Sequence, residues 1–121
     1  MIWRFSGGRP VYLQVMEQIQ GAVLAGEFQP GQRIPAVREL AAQAKINPNT
    51  MQHALQELEH GGLLETKGTS GRFVTEDATV LEQIRSECLK KLTAGYVDAF
   101  AIYGVGVSRM IELLREYQEG L

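Results

Sequence analysis

Apolar residues recur every three or four positions through most of this chain, and each such run predicts a helix. In residues 11–26 the repeating apolar positions are Val11, Val15, Ile19, Ala22 and Val23. A shorter run occupies 36–44, and a third run occupies 47–60 after a polar turn. Asn47 suits the cap of that third helix, and Pro48 suits its first helical position. The pattern therefore predicts three helices in the first half of the chain.

After the third helix the apolar spacing shortens. Two short runs, "LLETK" and "GRFVT", flank the turn "GTS", which is typical of two strands joined as a hairpin. Beyond Thr75 the helical spacing returns in two runs, separated by "GVG" at 104–106. This order predicts a mainly α fold with a small β-hairpin. We expect a winged helix-turn-helix in residues 1–75 and a short two-helix dimerisation tail in residues 76–121.

Charge changes this picture only slightly, because the formal net charge of the 121 residues is −2. Residues 29–74 hold five basic and four acidic side chains, whereas residues 75–121 hold five basic and eight acidic ones. The middle of the chain is thus weakly basic, far less so than domains that bind DNA without specificity. Charge alone leaves both a DNA partner and a protein partner open.

The residue types argue against several other classes of protein. No run of about 18 apolar residues is present and the N-terminus lacks a signal-peptide core, so we expect a cytoplasmic protein with no membrane partner. The single cysteine, Cys88, cannot form an internal disulfide, and no Cys/His cluster has zinc-ligand spacing. No catalytic triad, phosphate loop or acid–base carboxylate pair is evident. We expect no metal, no cofactor and no enzymatic activity.

The second and third helices, joined by a short turn, have the layout of a helix-turn-helix. In that motif the first residues of the second helix enter the major groove of DNA. Asn49, Thr50, Gln52 and His53 occupy these positions. Asn and Gln can pair bidentately with adenine, and Thr can hydrogen-bond a base edge. The sequence therefore predicts double-stranded DNA as a partner, although His53 could equally lie on a solvated helix face.

Basic and small residues flank this helix on both sides. Arg38, near the start of the preceding helix, suits a phosphate or a guanine, with an ion pair to Glu39 as the alternative. The hairpin turn would form the wing tip and contact the DNA backbone or minor groove. Its candidate residues are Lys67, Gly68, Thr69, Ser70 and Arg72. A solvated hairpin would also account for Lys67 and Arg72.

The tail carries more apolar surface than one winged helix can cover. A second copy of the chain would bury that surface and would present two reading helices to a palindromic operator. The candidate dimerisation residues are Leu81, Ile84, Cys88, Leu92, Tyr96, Phe100, Tyr103, Met110, Ile111 and Leu114. An alternative is that Tyr96, Phe100, Tyr103 and Met110 line a cleft for a small-molecule effector.

Residues 10–74 closely resemble the GntR family of bacterial transcription regulators. The shared motifs include "GEFQPGQRIPAVRELA", "NPNTMQHALQEL", "GLL" and "GRFV". The short tail is similar to that of the YtrA-type subgroup. The resemblance implies a winged-helix DNA-binding repressor whose tail helices dimerise, and which often controls an operon encoding an ABC transporter.

This chain departs from the family pattern at several DNA-facing positions. Gln52 or His53 stands where many relatives have an arginine, and Arg72 adds a charge to the wing. These changes suggest a different operator. A winged helix used for protein–protein contact is a further alternative, but the polar residues Asn49, Thr50 and Arg38 argue against it, because an interaction surface favours apolar residues there.

Overall fold

The structure, a computed structural model, describes residues 1–120, so Leu121 of the predicted tail lies outside the described residues. Within this range five helices and two strands follow the predicted order. They are α1 (Val11–Leu24), α2 (Val37–Ala44), α3 (Pro48–His60), β1 (Leu64–Thr66), β2 (Arg72–Val74), α4 (Ala78–Ala101) and α5 (Val107–Gln118). The predicted mainly α fold with a small hairpin is confirmed.

The chain forms two compact units, which we call the first unit (Met1–Ile84) and the second unit (from Arg85 onward). The predicted domain boundary lies earlier, at Thr75. The two positions differ because Leu81 and Ile84, in the first turns of α4, pack partly buried against the core of the first unit. These two residues therefore have a structural role within one chain, and their role in dimerisation stays a prediction.

The core of the first unit gathers one apolar face from each of its first three helices. Val15 and Ile19 of α1, Leu40 of α2, and Met51 and Leu55 of α3 are all buried. Full burial of one such side chain stabilises the fold by about 1.5–3 kcal/mol. Helix α3 packs against both α1 and α2. Its inward face is therefore held firmly, and its outward face is presented in a fixed orientation.

The hairpin is attached to this core by its second strand. Strands β1 and β2 pair antiparallel, with Leu64 opposite Val74 and Thr66 opposite Arg72. On its other side β2 is joined to the segment before α2, because the Ile34 amide donates to the Arg72 carbonyl at 3.0 Å. The side chain of Val74 is fully buried. The hairpin is thus fixed at its base, and its turn projects from the unit.

The residues before α1 are bound to that helix by a buried glutamine. The Gln14 amide donates to the carbonyl oxygens of Ser6 at 2.9 Å and Arg9 at 3.0 Å, and its oxygen accepts from the Ser6 amide at 2.9 Å. The terminal ammonium of Met1 lies 2.7 Å from the carboxylate of Glu27. These contacts hold the N-terminal arm along α1.

The second unit has a different character. It contains the remainder of α4 and all of α5, and neither helix has a single buried residue. Its apolar side chains include several that are more than half exposed: Leu89, Leu92, Tyr96, Ile102, Tyr103, Val107, Leu114 and Tyr117. None of the helices in residues 1–120 combines the length and the apolar character that spanning a bilayer requires.

Candidate nucleic-acid interface

The turn between α2 and α3 has a conformation that directs the start of α3 outward. Lys45 ends α2 in the left-handed region, with φ 57°, a conformation that costs a non-glycine residue about 1–2 kcal/mol. Asn47 then caps α3, because its side-chain oxygen accepts from the Asn49 amide at 2.7 Å. This is the capping role that the sequence predicts, and it orients the first turn of α3.

Four polar residues lie on the first two turns of α3. Asn49 and His53 are exposed, whereas Thr50 and Gln52 are half-buried. Met51, which lies between them, and Ala54, which follows them, are fully buried. The helix therefore separates a packing face from a polar face, and the polar face offers amide and hydroxyl groups that can donate and accept hydrogen bonds.

Arg38 lies in the first turn of α2 and is exposed. Within the described residues it forms no ion pair, so the alternative of a bond to Glu39 has no support. Its guanidinium is therefore available to an anion.

His53 is positioned by a contact that the sequence did not reveal. Its ring stacks on that of Tyr12 from α1, with centroids 4.1 Å apart and planes 21° apart. Its Nε2 lies 3.9 Å from a carboxylate oxygen of Glu57. One ring face is thus covered while the side chain stays half exposed. The ring edge and the opposite ring face remain for contact with a ligand.

The hairpin turn forms a compact loop at the tip. The Lys67 amide donates to the Gly71 carbonyl at 3.0 Å, and the Ser70 amide donates to the Lys67 carbonyl at 3.0 Å. Gly68, Thr69 and Ser70 are exposed. The Lys67 ammonium lies 5.1 Å from the centre of the Phe73 ring. This tip presents small residues and one cation to its surroundings.

Arg33 supports the tip from outside the hairpin. Its Nε donates to the Ser70 carbonyl at 2.9 Å. A Cβ at position 71 would lie only 2.7 Å from that Nε, and Gly71 has φ +117°, so this position requires glycine. Arg33 is distant from the tip in sequence, and no short-range pattern could have identified the pair.

Arg72, which the sequence assigned to the wing, points instead toward α3. Its Nε donates to Glu59 and its Nη1 donates to the Gln52 side-chain oxygen at 3.3 Å. The Thr66 hydroxyl donates to the same Glu59 oxygen at 2.9 Å. Desolvation by itself raises the pKa of Glu59, but hydrogen bonds from Arg72 and Thr66 outweigh it, and the net pKa lies below its usual value.

The tail residues predicted for dimerisation lie within the two units as follows. Leu92, Tyr96, Tyr103, Ile111 and Leu114 are exposed in the second unit, whereas Cys88, Phe100 and Met110 there are half-buried. Within the described chain no group of His, Cys, Asp and Glu side chains could hold a metal ion.

Comparison with known proteins places this arrangement in context. The model of the family described as "Bacterial regulatory proteins, gntR family" matches residues 11–74. The chain is 34% identical over 109 residues to the HTH-type transcriptional repressor YtrA of Bacillus subtilis, covering 88% of this chain and 83% of that protein.

Two solved structures share the architecture. A GntR family transcriptional regulator from Listeria monocytogenes aligns with a TM-score of 0.85 at 28% identity, over 93% of this chain and 98% of that one. The structure of AraR(DBD) in complex with operator ORX1 aligns with a TM-score of 0.57 at 31% identity, over 62% of this chain and 96% of that one.

Proposed function

Because the chain belongs to the GntR family of bacterial regulatory proteins, within its YtrA-type subgroup, we propose that it is a sequence-specific DNA-binding transcription regulator. One observation carries the proposal. The start of α3 presents Asn49 and Thr50 outward, while Met51 and Leu55 of the same helix are fully buried. Because that packing holds the polar face rigid, it suits the reading of base edges in a major groove.

In this proposal different residues of the first unit contact different parts of the DNA. Asn49, Thr50, Gln52 and the edge of His53 face the bases, and the guanidinium of Arg38 binds a phosphate. The wing tip approaches the backbone or minor groove through Lys67, Gly68, Thr69 and Ser70. The polar character of these residues favours DNA over a protein partner, whose contact surface would be richer in apolar groups at its centre.

The proposed regulator acts as a homodimer in the cytoplasm. A second copy of the chain would cover the exposed apolar side chains of the second unit, such as Leu92 and Tyr96. Two copies then place two α3 helices against the two halves of a palindromic operator. A dimer bound over a promoter would act as a repressor by excluding polymerase. The proposal includes residues 1–75 as the DNA-binding domain and 76–121 as the dimerisation domain.

Selection of bound fragments from genomic DNA tests this proposal directly. The purified full chain should enrich an inverted repeat at near-physiological salt, and the neighbouring genes would identify its targets. The double variant Asn49→Ala/Thr50→Ala should lose the enrichment, because it removes base contacts without touching the core. The matched control is Gln43→Ala/Gln83→Ala, two exposed polar residues of α2 and α4 outside the proposed contact set, which should enrich the same repeat.

Two results would contradict the proposal. If the wild-type chain enriches no sequence, the chain does not bind DNA specifically. If the alanine double variant enriches the same repeat as wild type, α3 is not the helix that contacts the bases.

A further inference from the structure

Four side chains join the hairpin to α3. We call them the Arg72 network, and they are Arg72, Glu59, Thr66 and Gln52. The hairpin register places Thr66 directly opposite Arg72, and both side chains donate to the same carboxylate oxygen of Glu59. Glu59 and Gln52 are seven residues apart on α3 and so share one face of that helix. The network therefore runs from the hairpin to the polar face of α3.

Arg72 is paired and largely covered, unlike a surface cation that is free to bind a phosphate. Its side chain is only 17% exposed, and that of Glu59 only 26%. Its Nε is committed to Glu59 and its Nη1 to Gln52. Lys67, by contrast, is exposed on the same hairpin. A charge that is paired and largely covered contributes little counterion release when DNA binds, so the guanidinium has a different role from that of a surface cation.

The contact with Arg72 orients the Gln52 amide. Arginine has only donors, so the Gln52 atom that faces Nη1 must be the carbonyl oxygen, and the amide NH2 is directed away from the guanidinium. Bidentate pairing with adenine requires the oxygen and the nitrogen of one amide together. An amide whose oxygen is already engaged offers chiefly two N–H donors, which suit the N7 and O6 acceptors of guanine.

We propose that Arg72 is a positioning residue that sets the base preference of Gln52. Held by Glu59, which also accepts a hydrogen bond from Thr66, it engages the Gln52 oxygen and leaves the amide NH2 to donate to a guanine edge in preference to adenine. This inference rests on the proposed function, since it concerns how the same α3 surface reads its operator. It removes Arg72 from the set of wing residues that contact phosphate.

The test uses selection from a randomised half-site with the full chain, together with binding measured across a range of salt concentrations. In the Gln52→Ala variant one position of the half-site should lose its base preference. That position is the one that Gln52 contacts. At that position wild type should favour guanine over adenine by about tenfold. Arg72→Met should move the preference toward adenine by about tenfold, with the salt dependence of binding unchanged.

Three further variants separate positioning from simple charge. Arg72→Lys keeps the charge but lacks the fork that reaches Glu59 and Gln52 together, so it should shift the base preference as Arg72→Met does. Glu59→Gln should shift the same position, because it releases Arg72 from its anchor. The control Lys67→Met should lower the slope of log affinity against log salt by about 0.9 and leave base preference unchanged. Circular dichroism melting would check that each variant is folded.

Distinct results overturn the inference. If Arg72→Met lowers the salt slope by about 0.9 and leaves the base profile intact, Arg72 is a phosphate contact and the inference is wrong. If Gln52→Ala changes preference at no position while wild type still selects an operator, the inference fails and the proposed function stands. If wild type selects no sequence, both fail together.

Discussion

The two units of this chain differ in how far their apolar side chains are buried. In the first unit Val15, Met51, Ala54, Leu55 and Val74 are fully buried in one core. In the second unit neither α4 nor α5 contributes a buried residue, and Tyr96 and Leu114 are more than half exposed. The first unit therefore holds the stabilising burial that a folded domain needs within one chain. The apolar surface of the second unit fits a partner, which we propose is a second copy.

The largest expected effect comes from the core of the first unit. Leu55→Ala should lower the free energy of unfolding by about 2–5 kcal/mol, because it leaves a cavity beneath the reading helix. Denaturant titration at several protein concentrations would measure this loss. In the second unit, Leu92→Ala removes a side chain that is exposed in a single chain. Its loss of unfolding free energy should therefore grow with protein concentration, because the side chain is buried only in the proposed dimer. The loss caused by Leu55→Ala should not depend on concentration. Equal losses for both variants at every concentration would contradict the comparison.

The second prediction targets the proposed dimer contact. Leu92→Glu should raise the dimer dissociation constant by about a hundredfold, because it places a charge in an apolar interface. Sedimentation equilibrium would measure the shift, and operator binding should weaken with it. The matched control is Ala94→Glu, which lies on the opposite side of α4 from Leu92 and is exposed. A dimer of normal strength in Leu92→Glu would exclude Leu92 from the interface.

The third prediction compares two arginines, one in each unit. Arg38→Ala should weaken operator binding by about tenfold and lower the salt slope by about 0.9, since it removes one phosphate contact. Arg109, which is paired with Glu112 and Glu116 in α5, is the control, and Arg109→Ala should leave the slope unchanged. Fluorescence anisotropy at several salt concentrations measures both variants. An unchanged slope in Arg38→Ala would refute the phosphate role.

The smallest expected effect concerns the pH dependence of the first unit. The folded-state pKa of Glu59 lies below its usual value, so its ionised form stabilises the fold. This contribution is complete above the unfolded-state pKa of about 4.3 and is lost as pH falls through the lower folded-state pKa. Wild type should exceed Glu59→Gln in stability by about 1 kcal/mol or less near neutral pH.

Thermal melts of wild type and Glu59→Gln between pH 7 and about pH 3 would follow this difference. The gap between the two proteins should close on acidification. A gap that stays constant over this range would show that ionisation of Glu59 has no part in it.

Local sequence patterns were enough to predict the helices, the hairpin and the position of α3. Residues close in sequence decide whether a segment favours a helix, a helix start or a strand. Examples are the spacing of Val15 and Ile19, the proline at 48 and the alternation around Val74. The cap at Asn47 formed as predicted, because a cap needs only a side chain and an amide two residues away. Membership of the GntR family followed from motifs in the same segment.

Contacts between distant segments lay outside the reach of those patterns. Three sets of contacts join residues at least 13 positions apart. They are the stacking of Tyr12 on His53, the bond from Arg33 to the wing tip, and the bonds from Arg72 to Glu59 and Gln52. The sequence indicated that Arg72 carries charge near the wing. Its direction depended on the hairpin register, which brings the guanidinium to Glu59 rather than to solvent.

The sequence by itself determined the order of the helices and the hairpin, the family, and the polar character of the start of α3, because each is encoded in residues a few positions apart. Only the tertiary structure decided how those polar residues are oriented and which charges remain free. A side chain of Arg72 or His53 adopts the orientation that its neighbours from other elements permit, and those neighbours are brought together only when the core of the first unit forms.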